Sequence, residues 1–160
     1  MPLSTGVLSD VARRGAGGGG GALSTQGAMV RRAATQAIPD SAWTPASFDT
    51  EDRDDDGFWA IGTPTNFACG SDGWHVITYA VDWEIDIQGK REMRIRLDGG
   101  ATIRYGITRE QYAGGLSDSR ESMTLVEYLT AGQYVELELY QNAGHALNAD
   151  VLWGEIARLS

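Results

Sequence analysis

Carboxylates are the groups in this chain most densely placed for chemistry. The segment Phe48-Asp49-Thr50-Glu51-Asp52-Arg53-Asp54-Asp55-Asp56-Gly57-Phe58 sets Asp52, Asp54 and Asp56 at alternate positions and follows them with a glycine. That is the first half of a calcium loop, in which alternate carboxylates converge on one ion and the glycine permits the sharp turn. The second half departs from it. The twelfth position counted from Asp52 is Thr63, where a bidentate glutamate would complete the shell. Two readings stay open: a calcium-assisted loop completed by another loop, another chain or water, and a solvated acidic loop that keeps neighbouring subunits from associating wrongly.

The other chemical groups are sparse. His75 falls between Trp74 and Val76, and His145 sits in the turn-rich Gly144-His145-Ala146. There is no G-x-S-x-G elbow, and the single cysteine, Cys69, has no sequence neighbour that marks it as an activated nucleophile; it reads as a small buried hydrophobe. Carboxylates are numerous enough for a glycosidase pair, but no spacing selects two of them. The glycine run lacks the Lys-Ser/Thr of a phosphate loop and follows no strand. The chain therefore reads as non-enzymatic, with no cofactor beyond a calcium ion at Asp52, Asp54 and Asp56.

The elements that would position these groups are strands. Ile77, Tyr79, Val81, Trp83 and Ile85 alternate with Thr78, Ala80, Asp82, Glu84 and Asp86, which predicts one long strand with a core face and an outer face. Met93, Ile95 and Leu97 alternate with Arg94 and Arg96; Ile103, Tyr105 and Ile107 repeat the period. Val135, Leu137 and Leu139 alternate with Glu136, Glu138 and Tyr140, and Leu152, Gly154 and Ile156 with Trp153 and Glu155. Gln88-Gly89, Asp98-Gly99-Gly100 and Asn142-Ala143-Gly144 are turn signals. The pattern predicts an all-β, two-sheet antiparallel sandwich or barrel. A simple hairpin around Gly89 would set Asp82 against Arg96 and Glu84 against Arg94, a pairing worth a few tenths of a kcal/mol to about 1 kcal/mol.

Composition bounds the function. The 160 residues suit one domain with an appendage, and one cysteine excludes an internal disulfide framework. A formal charge of −9 argues against nucleic acid or an anionic bilayer as partner. The apolar runs are too short for a membrane helix, and no signal-like segment opens the sequence, so synthesis in a reducing cytosol is the simplest expectation. The charge is also uneven. Up to Ala46 there are four Arg and two acids; the remainder has 9 basic and 20 acidic residues. The run Gly15-Ala16-Gly17-Gly18-Gly19-Gly20-Gly21 has no side chains to pack and reads as a linker. The boundaries predicted are an arm at 1–26 and a folded body at 27–160. Arm residues Val7, Leu8, Val11 and Leu23, with Met29 just beyond, supply apolar contact to a partner, and Arg13 and Arg14 meet an acidic partner surface.

The order of motifs then resembles a known family. Trp43, the Phe48–Asp52 and Asp56–Phe58 segments, Phe67, Gly73-Trp74-His75-Val76-Ile77, Leu129-Thr130-Ala131-Gly132-Gln133-Tyr134-Val135-Glu136-Leu137 and Leu152-Trp153-Gly154-Glu155-Ile156 resemble the jelly roll shared by complement globular heads and tumour necrosis factor. The resemblance covers about 28–159. The acidic segment, with Val30-Arg31-Arg32-Ala33-Ala34-Thr35-Gln36-Ala37-Ile38-Pro39-Asp40-Ser41-Ala42-Trp43-Thr44 ahead of it, looks like the form found in virion structural proteins of tailed bacteriophages, especially those of actinobacteria. His75 departs from the family's usual Tyr, Gln133 from its frequent Asp, and no Gly-X-Y repeat precedes the domain. The resemblance implies a homotrimer in which an intersubunit core absorbs some of the five Trp. It implies a surface knob of a phage particle (capsid decoration, head fibre or minor tail protein), made in the host cytoplasm and held to other virion proteins by its arm. It also places 74–86 and 90–98 in different sheets, against the hairpin above. The alternative is a module that binds a host-surface glycan or protein.

Overall fold

The computed structural model describes residues 26–98, 103–110 and 119–159. Arm candidates Val7, Leu8, Val11, Arg13, Arg14 and Leu23 lie outside the described residues. Within them the chain forms β1 (Gly27–Arg32), β2 (Gln36–Ile38), β3 (Thr44–Pro45), β4 (Thr50–Asp54), β5 (Asn66–Ala68) and β6 (Gly73–Trp83). It continues through β7 (Lys90–Leu97), β8 (Ile103–Glu110), β9 (Ser119–Leu129), β10 (Tyr134–Gln141) and β11 (Leu147–Leu159). The first sheet runs β4-β1-β11-β6-β9 with β2 also on β11; the second runs β3-β10-β7-β8 with β5 also on β10. Neighbouring strands pair antiparallel, so the two layers are the predicted sandwich.

The period-two sequences place the core between the layers. Ile77, Tyr79, Val81 and Trp83 from β6 and Leu152 and Ile156 from β11 face Met93, Ile95, Val135, Leu137 and Leu139 of the second sheet, all buried. Phe48, Phe67 and Tyr79 stack at its centre, with ring centroids 5.7–6.2 Å apart. Gly154 makes room for that stack: a Cβ there would lie 3.0 Å from the Tyr79 ring and 3.1 Å from Phe48. Burial pushes the Tyr79 hydroxyl's ionisation far up, and that oxygen has no hydrogen-bond partner among the described residues.

Two sequence expectations are corrected. The hairpin does not form, because β6 and β7 belong to different sheets. Asp82 instead pairs with Arg120 of β9, at 2.6 and 2.5 Å, while Arg94 and Arg96 both reach Glu138 of β10 at 2.6 Å. The long strand also ends early. It stops at Trp83, so Ile85 leaves the core face and stands 49% exposed. The chain there must cross from one layer to the other, which ends the alternation.

The sandwich has two distinct ends. Gly27, Gly73, Leu129 and Leu159 share one of them, where residue 26 enters β1 and where Asp55 donates its N–H to Gly27 O at 3.0 Å. Loops 84–89 and 142–146 lie at the other, beyond Trp83 and Gln141.

Candidate interaction face

The outward side of the first sheet is built from residues that alternate with the core. Strand register arranges them in five rows. Nearest the end where residue 26 enters, Leu159, Trp74 and Tyr128 stand side by side, followed by Gly27, Ala157, Val76 and Val126. Met29, Glu155, Thr78 and Thr124 form the third row, and Arg31, Trp153, Ala80 and Ser122 the fourth. Val151, Asp82 and Arg120 close the series. An antiparallel sheet with one wet side normally alternates apolar-in with polar-out. Here the first two rows are apolar on the outer side as well.

The exposure is substantial. Trp74, Val126, Tyr128 and Val151 keep about half of their surface, and Leu159 over a third. Trp74 and Tyr128 meet edge-to-face with centroids 5.6 Å apart, a favoured aromatic geometry. Thr78 and Thr124 share a hydrogen bond of 3.1 Å across the next strands. Beyond them the small side chain of Ala80 leaves a depression of ≈370 Å3, walled by Val81, Val151 and Trp153 and closed by the Asp82–Arg120 pair. Covering one half-exposed side chain of these types is worth about 1 kcal/mol. A contiguous apolar patch of this kind marks a surface that takes a partner.

The outward side of the second sheet is finished within the chain. Glu138 is buried and neutralised by Arg94 and Arg96, and the Arg94 guanidinium lies 3.8 Å over the Trp43 ring. Trp43 packs on Tyr140 at 5.2 Å, and Lys90 sits over Tyr140 while pairing with Glu92 at 2.6 Å.

The acidic segment is held by contacts within the chain. Both oxygens of Asp54 accept backbone N–H groups, from Asp56 and Phe58 on one side and Trp59 on the other, at 2.9–3.3 Å. Gly57 turns the chain with φ +72°. Asp52 faces Arg31 at 3.0 Å, and Asp56 is exposed. Asp52, Asp54 and Asp56 thus do not converge, and among the described residues no group of three or more His, Cys, Asp or Glu is placed to hold a metal. Asp54 is a turn-forming side chain.

A histidine and the cysteine, six residues apart, do meet. His75 Nε2 lies 3.6 Å from Cys69 Sγ, while Nδ1–H donates to Gly73 O at 2.9 Å, and the Phe58 ring packs edge-on against the imidazole. Burial pushes the thiol's pKa up and the imidazole's down, so both groups are held neutral. A neutral buried thiol is a poor nucleophile. His145 stands apart, at the opposite end, 3.0 Å from Asp86.

Met29 lies in β1, in the ladder between Arg53 and Glu155, so it belongs to the outward face of the first sheet and not to the arm. The face residues that sequence reasoning did not reach are on β9. Its alternation is masked because Glu121, a charged residue, points inward and is buried beside Trp83 Nε1, at 3.4 Å, while Val126 and Tyr128 point outward. The register of Val126 and Tyr128, two apart, was the available signal.

Comparison with known proteins places the fold. No protein-family model matches the chain, and no curated protein matches it. Among solved structures, the globular domain of zebrafish complement 1qA protein is similar with a TM-score of 0.58 at 17% identity, over 81% of this chain and 94% of that one. The Eiger TNF of S. frugiperda gives 0.60 at 11% identity, over 84% and 92%. Murine APRIL gives 0.60 at 10% identity, over 82% and 99%. The fold is the jelly-roll sandwich of these proteins.

Proposed function

We propose that this chain is a non-enzymatic structural protein of a tailed-bacteriophage particle. It forms a homotrimeric jelly-roll knob on the particle surface, as capsid decoration, head fibre or minor tail protein. The observation that carries the self-associating knob is the outward side of the first sheet, where Trp74, Val76, Val126, Tyr128, Ala157 and Leu159 form an apolar surface on an otherwise acidic body. A second and third copy cover the first two rows without burying a charge, since the charges of the face (Glu155, the Arg31–Asp52 pair and the Arg120–Asp82 pair) begin only in the third row. The similarity of the fold to complement and tumour-necrosis-factor-like domains supports a threefold arrangement. The order of the Val30–Thr44 and acidic segments supports the phage context.

Attachment is assigned to residues 1–26. Their glycine run permits close backbone approach or a symmetry mismatch with capsid or tail, and synthesis takes place in the host cytoplasm. A chain that starts at Gln26 is expected to stay folded and to be left out of particles assembled in infected cells. Normal incorporation of that shortened chain would refute the assignment.

One observation favours a second role, binding of a host-surface protein or glycan by the end remote from residue 26. Loop 84–89 holds Ile85 and Ile87 nearly half exposed, and it is fixed from beneath. The buried Arg91 donates to the carbonyls of Gln88, Gly89 and Asp86 at 2.5, 3.3 and 3.2 Å. Gly89 is required there, because a Cβ would fall 2.5 Å from Asn142 O. Such a loop loses little entropy on contact. Adsorption of particles to host cells is the test: Ile85→Asp with Ile87→Asp reduces it if this loop binds and leaves it unchanged if it does not.

A further inference from the structure

The first two rows of the apolar face lie where residue 26 enters the sandwich. Gly27 stands opposite Ala157, which stands opposite Val76, and Val76 opposite Val126. Three strand spacings, about 14 Å, therefore separate the entry point from the far side of the patch. Fourteen residues lie between Val11 and Gln26, including the glycine run, and a glycine-rich chain of that length spans roughly 20 Å on average. Span and distance match, which is the condition for a high effective concentration of one segment at the other site.

The chemistry also matches. Val7, Leu8 and Val11 are apolar, as are Trp74, Val126, Tyr128 and Leu159. Arg13 and Arg14 follow them, and Glu51, Asp55 and Asp56 are exposed on the other side of Gly27. Residues 1–26 carry two Arg and one Asp, against the strongly acidic remainder.

We infer that in the unattached chain residues 7–14 cover the Trp74–Tyr128 patch, and that this contact competes with self-association. The inference rests on the reading that the same face joins the copies. Attachment of the arm to the particle withdraws residues 7–14 from the patch, so copies associate where they are anchored rather than in the cytoplasm. The coupling follows from linkage: a segment that binds the single copy and not the assembly weakens assembly by the factor with which it binds.

The experiment uses the full chain with Val7→Asp, Leu8→Asp and Val11→Asp combined. All three positions lie outside the described sandwich, so its core is untouched. Two readouts are compared with the unmodified chain: molar mass by light scattering over a concentration series, and acrylamide quenching of Trp74, isolated by difference against Trp74→Phe. The expected result is self-association at a concentration at least tenfold lower in the triple variant, with Trp74 quenched at least twofold faster in its single-copy state. Equal mass curves and equal quenching overturn the inference; self-association stands if both curves rise and falls if both stay at the single-copy mass. If neither chain associates but Trp74 is protected only in the unmodified one, the arm contact stands and the self-association reading falls.

Discussion

The two outward faces of this sandwich are made by the same rule and end in opposite conditions. Each sheet alternates core and outer residues, yet the second sheet closes its outer side with charges that answer one another. Arg94 and Arg96 neutralise Glu138, and Trp43 lies beneath the Arg94 guanidinium with Tyr140 beside it. The first sheet leaves Trp74, Val126, Tyr128 and Leu159 to solvent. Strand periodicity therefore establishes that a residue points outward and says nothing of what it will meet. The partners decide that, and for the second face they are other strands of the same chain.

The largest expected effect comes from charging the open face. Val126→Asp with Ala157→Asp puts two carboxylates into the apolar rows and should weaken self-association at least 100-fold by sedimentation equilibrium. The thermal midpoint of the single copy should barely move, since neither side chain reaches the core. An unchanged association constant would remove the distinction between the faces.

The converse change belongs on the closed face. Glu138→Gln leaves Arg94 and Arg96 side by side without their carboxylate, and the expected cost is about 1–3 kcal/mol of folding stability by denaturant titration. Self-association should be unaffected. A variant that unfolds normally but no longer associates would mean that the second sheet, not the first, carries the contact.

The smallest effect is a pH dependence confined to the interior. Burial lowers the pKa of His75 below the usual 6.5. As pH falls through about 6.5 the unfolded chain takes up a proton that the folded chain refuses, so stability declines from there down to the folded value. His75→Phe should flatten that decline, with His145 replaced by Asn in both proteins so that only one imidazole is compared. An identical decline in both would show that His75 is not held neutral.

Much of this was legible in the chain itself. Met93, Ile95 and Leu97, and likewise Val135, Leu137 and Leu139, alternate so strictly that their burial follows from period alone. The order of short motifs gave the jelly roll and the separation of β6 from β7. In the acidic segment, spacing reports which carboxylates are near in sequence. It does not report that Asp54 spends both oxygens on backbone N–H groups or that Asp52 turns to Arg31. The meeting of Cys69 and His75 needed tertiary structure, since it follows from the turn between β5 and β6. The open face escaped for the same reason: Trp74, Tyr128 and Leu159 come from three strands that only the register brings together.

Absolute molar mass of the purified full-length protein, measured by light scattering up to millimolar concentration, bears most directly on the shared apolar face. A plateau at about three times 17.2 kDa is the predicted result. A constant 17.2 kDa across the whole range would contradict it.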